Sequence, residues 1–184
     1  MANYEIELRG ILTPKKRDKF EKLLIKSGKK IRSYERTQWV LKDSWKNGLD
    51  LRIKKTNGIL EFSLKIGNPG VANRKEISLE LPNNKFSEAK DFMKLLGYKK
   101  GIKAIRNANI YKYSGVEWAI IEIPGHGYYF EAERIAKNKK EHDRIENEIR
   151  EIAESLGLKV LTSKETMDYI AKLNKEANEP FEWK

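Results

Sequence analysis

Two short stretches of the chain carry carboxylates at alternate positions. They are Glu5-Ile6-Glu7 near the N-terminus and Glu131-Ala132-Glu133 much further along. Successive side chains of an extended strand point to opposite faces, so each Glu-x-Glu sets both carboxylates on one side. They then sit roughly 6–7 Å apart, and at an effective dielectric near 20 each pair repels by about 2–3 kcal/mol. Other strand-like segments present cations in the same way: Arg52 with Lys54, Lys65, and Arg74 followed by Glu76. Gathered carboxylates suit a hard divalent cation such as Mg2+ or Mn2+. Arginine and lysine suit phosphate oxygens. A polyanion bridged by a metal would use both sets at once.

Composition narrows the alternatives. The chain has 184 residues, 39% hydrophobic and 35% charged, which is too apolar for a disordered chain and too charged for a membrane protein. It has no cysteine, so disulfides, thiolate metal sites and thiol catalysis are excluded. Only His126 and His142 are present, so any metal must rest mainly on carboxylates. His126 falls in a Gly-rich turn, and His142 reads as a solvated helix residue. Trp39, Trp45, Trp118 and Trp183 read as packing or interface residues. The net charge of +11 implies an anionic partner. From Pro14 to Arg32, nine basic and two acidic residues give +7, either a solvated helix face or an electrostatic surface for RNA or polyphosphate. Few aromatics accompany that run (Phe20, then Tyr34 and Trp39), which disfavours base stacking. No apolar run reaches the length of a membrane span, and Met1 to Arg9 lacks a signal-peptide core, so a cytoplasmic protein without a membrane partner is expected.

The elements that must position these residues follow from periodicity. Tyr4 to Arg9 alternates as a strand. Thr13-Pro14 starts a helix whose apolar stripe is Phe20, Leu23 and Leu24 and which Gly28 ends. Short strands are expected at Glu35 to Leu41, Leu49 to Lys54, around Phe62 to Ile66, and Arg74 to Leu81. Turns fall at Asn47-Gly48, at Asn57-Gly58 and in Gly67-Asn68-Pro69-Gly70. A second helix spans Ser87 to Leu96, with Ala89, Phe92, Met93 and Leu96 inward. Strands resume at about Lys103 to Tyr113, Glu117 to Ile123 and Tyr128 to Ile135. Two helices close the chain, one on Ile145, Ile149, Ile152 and Leu156, the other capped by Ser163. The count is seven or eight strands and four helices, with short antiparallel connections. A fold of the α+β class is expected: a closed, eight-stranded antiparallel barrel over about 4–135, helices packed outside, and C-terminal helices over about 138–178. The whole chain, 1–184, reads as one domain. Its interior would be acidic on one wall and basic on the other.

The ordered set of motifs resembles the CYTH family, the triphosphate tunnel metalloenzymes. Glu5-Ile6-Glu7-Leu8-Arg9 is similar to the family's Glu-x-Glu-x-Lys. Leu51-Arg52-Ile53-Lys54, Lys65, Arg74-Lys75-Glu76, Ile121-Glu122-Ile123 and Glu131-Ala132-Glu133 match later strands in order. The resemblance implies an eight-stranded tunnel acting on triphosphates. It implies Glu5, Glu7 and Glu122 as catalytic residues. It places metal on Glu5, Glu7, Glu76, Glu131 and Glu133, and phosphate on Arg9, Arg52, Lys54, Lys65, Arg74, Lys103 and Arg106. Three positions depart from the pattern. Arg9 replaces a lysine and cannot serve as a general base. Lys103 and Arg106 are three apart and face opposite sides of a regular strand. Glu122 stands where Asp is common.

The expected function is metal-dependent hydrolysis of tripolyphosphate or an organic triphosphate such as thiamine triphosphate. One alternative is a class IV adenylyl cyclase making cyclic AMP from ATP. The other is a basic module binding RNA or polyphosphate. Whether the protein is a monomer or a homodimer stays open.

Overall fold

The computed structural model describes residues 4–67 and 73–184. The turn expected at Asn68, Pro69 and Gly70 lies outside the described residues. In chain order the elements are β1 (Tyr4–Leu12), α1 (Pro14–Ser27), β2 (Lys29–Val40), a 3-10 turn (Lys42–Asn47), β3 (Leu49–Thr56), β4 (Ile59–Ile66), β5 (Asn73–Leu81), α2 (Phe86–Leu95), β6 (Lys100–Tyr113), β7 (Val116–Ile123), β8 (Gly127–Ala136), α3 (His142–Ser155), α4 (Ser163–Glu176) and β9 (Glu179–Glu182).

Eight strands close on themselves in the order β2-β3-β4-β5-β1-β8-β7-β6, with β6 returning to β2, and β9 adds to the start of β6. All pairings are antiparallel. Among the described residues, β1 meets β5 through three residue pairs, Tyr4–Ile6 against Asn73–Lys75. Further along β1 the segment after α3 approaches, and the Leu161 N–H donates to the Arg9 carbonyl at 2.8 Å. Helices lie outside the ring, as expected.

Alternation assigns the two faces of this wall. Ile6, Leu8 and Leu12 of β1, Trp118 and Ile120 of β7, and Phe130 and Ala132 of β8 face outward and are buried. Phe20 and Leu24 of α1 and Ile145, Ile149 and Ala153 of α3 pack on them. Across the ring, Ile53 and Leu60 are covered by Ala89 and Met93 of α2. Closure shields the inner face, and the helices shield the outer face of β1, β7 and β8 and part of β3 and β4, while Ile77 and Leu79 on the outside of β5 stay exposed.

The local signals hold with shifts at the ends. Thr13 caps α1, its Oγ1 accepting from the Lys16 N–H at 3.3 Å, with Pro14 in the first turn. The last helix starts one residue earlier than Ser163 suggests: Thr162 is the cap, because Glu165 lies three residues beyond it and returns a hydrogen bond to its N–H. Phe92 and Leu96, expected inward, are mostly exposed, as α2 meets the wall chiefly through Phe86, Ala89 and Met93. His142 is buried edge-on against Tyr4 at 4.8 Å rather than solvated, because α3 turns it toward β1. The strand β2 begins six residues before Glu35, inside the basic run. Strand β9 is too short, with Pro180 in it, to show a period. Among the described residues no helix is long and apolar enough to cross a membrane, which says nothing of a β-barrel crossing.

Gly10 marks where two layers touch. A Cβ there would collide with the Lys159 carbonyl oxygen and the Phe130 ring. Gly10→Ala is expected to cost about 1–3 kcal/mol through forced displacement of buried groups, read as a lowered urea midpoint at unchanged m. A wild-type midpoint would show that the segment after α3 is not held against β1.

Candidate functional site

The inward faces of the strands line one cavity of about 260 Å³. Register explains its contents. In β1 the inward residues are Glu5, Glu7 and Arg9. In β8 they are Glu131 and Glu133, paired with Arg9 and Glu7. Glu117 of β7 sits opposite Glu133, and Glu76 of β5 opposite Lys65 of β4. On the far side, β2 gives Arg32, Tyr34, Arg36 and Gln38, β3 gives Arg52 and Lys54, and β6 gives Ala104 and Arg106. Six glutamates and seven cations thus face one enclosed space.

The charges interlock rather than separate into two walls. Lys65 Nζ lies 2.7 Å from Glu5, 3.2 Å from Glu7 and 3.2 Å from Glu76. Arg9 bridges Glu7 and Glu131, the latter at 2.9 Å. Lys54 reaches Glu76 at 3.0 Å and Glu61 at 3.2 Å, and Ser63 donates to Glu76 at 2.8 Å. The reason is alternation of sign along single strands, Glu7 before Arg9 and Asp50 before Arg52.

Asp50 is fully buried and holds two arginines, Arg52 Nε at 2.8 Å and Arg74 at 2.8 Å. Against the cost of burial, these guanidinium groups keep its carboxyl well below the usual range. Arg74 is thereby tied behind the lining and does not border the cavity. Arg52 also donates to Gln38 at 3.1 Å and keeps its place in the lining.

Two expected site residues lie elsewhere. Glu122 pairs with Tyr128 on the outer side of the wall, one position out of phase with Glu131, so it cannot join the inner glutamates. Lys103 also points outward and meets Glu179 of β9 at 3.0 Å, as its odd separation from Arg106 requires in a strand without a bulge. Glu5, Glu7, Arg9, Arg52, Lys54, Lys65, Glu76, Arg106, Glu131 and Glu133 are brought together. Residues not singled out from sequence join them. Arg32 pairs with Glu117 at 2.8 Å. Arg36 lies 4.3 Å over the Tyr34 ring and donates to Thr56 at 3.0 Å. Asn178 accepts from Arg106 at 3.0 Å, and Tyr169, Ile170 and Leu173 of α4 border the same space. Parity along β2 carries a signal for Arg36, two residues from Gln38. No local signal marks α4, whose approach is a long-range event.

Arg36 and Arg106 stand directly opposite each other across β2 and β6. Among the described residues neither has a carboxylate partner; their hydrogen bonds go to neutral Thr56, Asn178 and the Ile105 carbonyl. Two facing, largely enclosed guanidinium groups call for an anion.

The glutamate side has the opposite demand. Burial, and a hydrogen bond to Glu7, push Glu5 up to about 10. Burial and the nearby Glu7 charge push Glu133 up to about 7. Glu7 is held well below the usual range, because Arg9 and Lys65 outweigh its burial. Lys65 is raised by Glu7, Glu5 and Glu76 in spite of burial. More carboxylates are enclosed here than Lys65 and Arg9 can neutralise. Among the described residues, however, no three acidic or histidine side chains form a ready-made metal site.

Solved structures share this architecture. PH1819 from Pyrococcus horikoshii matches with a TM-score of 0.73 and 20% identity, covering 91% of this chain and 98% of that one. A proposed adenylate cyclase from Vibrio parahaemolyticus matches at 0.71 and 15%, covering 91% and 99%. HpAC1 from Hippeastrum, a proposed adenylyl cyclase with a dominant triphosphatase activity, matches at 0.59 and 15%, covering 86% and 89%. The fold is that of the CYTH-type tunnel proteins. No protein-family model and no curated protein matches the chain. At such low identity the tunnel is shared as a fold, and its lining has to be read from this chain.

Asp50 gives a test independent of any substrate. Its lowered pKa means that its ion pairs stabilise the fold fully above the unfolded value near 4 and are lost as the pH falls below it. Urea stability of the wild type should therefore drop below about pH 4. Asp50→Asn should be destabilised by about 3–5 kcal/mol at neutral pH, with a shallower acid limb. Parallel acid limbs in the two proteins would remove Asp50 from this role.

Proposed function

We propose that the protein is a CYTH-family enzyme that hydrolyses a triphosphate inside this tunnel with the help of a divalent cation. The facing Arg36 and Arg106, without a carboxylate partner among the described residues and across from the enclosed Glu5, Glu7, Glu131 and Glu133, carry the reading. One demand is met by phosphate oxygens, the other by a cation that phosphate brings with it. HpAC1, which shares the fold, has a dominant triphosphatase activity.

The donor set fits a hard cation. Carboxylate oxygens are its preferred ligands, and a cation beside Glu5 and Glu133, both raised by burial, would favour their ionised forms. Glu5, Glu7, Glu131 and Glu133, with Glu76 beside them, are the residues that would hold Mg2+ or Mn2+. Bound there, the ion would supply Lewis-acid polarisation of phosphate oxygens.

The protein's own share is positioning and electrostatics, which dominate phosphoryl transfer. Arg36, Arg106 and Arg52 would bind phosphate oxygens, and Lys54 would sit between them and Glu76. Arg52 is pre-oriented by Asp50 and Gln38, and Arg106 by Asn178, so little side-chain freedom is lost on binding. Arg9 stays protonated and bound to Glu7 and Glu131, which makes it a spacer between carboxylates and no proton acceptor. A glutamate in the same cluster is left to orient the attacking water.

Purified protein incubated with tripolyphosphate, thiamine triphosphate or ATP and Mg2+ or Mn2+ should release orthophosphate. EDTA should stop it. Arg36→Ala and Arg106→Ala should each lower kcat/KM by about 10²–10³ while retaining the fold by circular dichroism. Pyrophosphate with cyclic AMP from ATP would assign the cyclase reaction instead. No product with any substrate or metal would overturn the enzyme reading.

A further inference from the structure

Among the described residues, β5 has an apolar outer face with no helix over it. Ile77 and Leu79 point outward, alternating with the inward Glu76, and are 49% and 61% exposed. Their register partners on β4, Leu64 and Phe62, lie on the same outer face, and Leu81 beside Leu60 continues the row. Three successive outward pairs are therefore apolar on both strands, with no charged side chain among them.

Helix α2 borders this face without crossing it. It packs on Ile53 and Leu60 through Ala89 and Met93. Its apolar stripe is wider than that contact. Phe92 brings its ring to 5.9 Å from that of Phe62, which joins the helix surface to the strand surface. Leu95 and Leu96 follow one turn on, on the Phe92 side of the helix, and are 88% and 55% exposed. Ile77, Leu79, Phe92, Leu95 and Leu96 together expose roughly 600 Å², at the upper end of what a monomer shows in one patch. A stable interface takes about 800 Å² from each partner, which this patch and its polar rim supply.

The rim tells which partner fits. Lys85 and Lys94 of α2 are already paired within the helix, with Glu88 at 2.6 Å and Asp91 at 3.2 Å. An anionic lipid surface calls for free cations around an apolar patch. A balanced rim around an uncharged centre matches a protein interface. The outline also suits itself. The helix stands as a step beside the bare face of β5, so a two-fold rotation sets the α2 edge of each copy on the β5 face of the other.

We propose that this face is the interface of a two-fold homodimer. The dimer covers the outside of β5, whose inner face carries Glu76 and whose pairing with β1 runs, among the described residues, through three residue pairs. The proposal is independent of the triphosphate reading.

Sedimentation velocity of the full chain at about 1–50 μM should show the mass of two chains. Leu79→Lys and Leu95→Lys place a charge at exposed positions, so the fold should stand by circular dichroism. Each should weaken dimerisation by about a hundredfold. The chain lacks cysteine, which allows a test of geometry that needs no disruption. A short bismaleimide should link Leu79→Cys protein to Leu95→Cys protein, and should leave Ile25→Cys protein, similarly exposed on α1, unlinked. A monomeric wild type across that range would overturn the proposal. So would a dimer that survives both lysine variants, or one that links as readily through Ile25→Cys. Monomeric wild type that floats with phosphatidylserine vesicles would assign the face to a lipid surface instead.

Discussion

Closing eight strands into a ring removes one face of every strand from bulk water, and an ionised group on that face then depends on its neighbours. Lys65 shows the constraint most clearly. It is 7% exposed and has three carboxylates within about 3 Å, those of Glu5, Glu7 and Glu76. Arg9 and Asp50 repeat the arrangement with one charge between two of the opposite sign. Such bridged sets tolerate burial because each member is hydrogen-bonded as well as paired. Their price in desolvation is what a merely structural barrel would avoid by filling its interior with aliphatic side chains. The two larger hydrophobic cores lie outside the ring, between the strands and α1, α2 and α3, and a smaller one, Ala108, Ile110, Ala119 and Ile121, fills part of the interior beside Tyr34 and Tyr129.

Interleaving has a consequence for how the site works. Had acidic and basic walls stood apart, each would repel itself and the protein would rely on ligands for stability. Alternation of sign along β1 and β3 instead satisfies most charges internally. What remains unpaired among the described residues is local: the Arg36 and Arg106 pair on one side, and Glu133 on the other. Binding is thus concentrated where the internal pairing stops, and the paired groups around it fix the geometry.

The alternation that built these strands was plain in the sequence, and so was the inward set Glu5, Glu7, Arg9, Arg52, Lys54, Lys65, Glu76, Glu131 and Glu133. Parity also held the answer for Glu122 and Lys103. Counting back from Glu131 puts Tyr128, and across the turn Glu122, on the outer face; counting back from Arg106 does the same for Lys103. Family position outweighed that count. Arg32 was hidden for another reason. Arg32 ends a run of lysines and arginines that reads as one basic surface, so its period was masked by charge, whereas Arg36 lies beyond that run in the expected strand, where its parity with Gln38 marks it. Arg74 was inward by parity, yet what ties it up is Asp50, a residue whose complete burial no local pattern discloses.

The C-terminal third was the least legible part and changes the site most. Nothing in Ser163 to Glu176 distinguishes a helix lying over a cavity from one packed on an outer wall, since its apolar residues serve both. The deciding contacts are distant in sequence, Asn178 with Arg106 and Tyr129 with Tyr169. Strand β9 follows directly, anchoring that end of the chain to the start of β6. The same pairing therefore positions the α4 face of the cavity and helps orient Arg106. The α4 lining of the cavity and the orientation of Arg106 are consequently two products of one attachment.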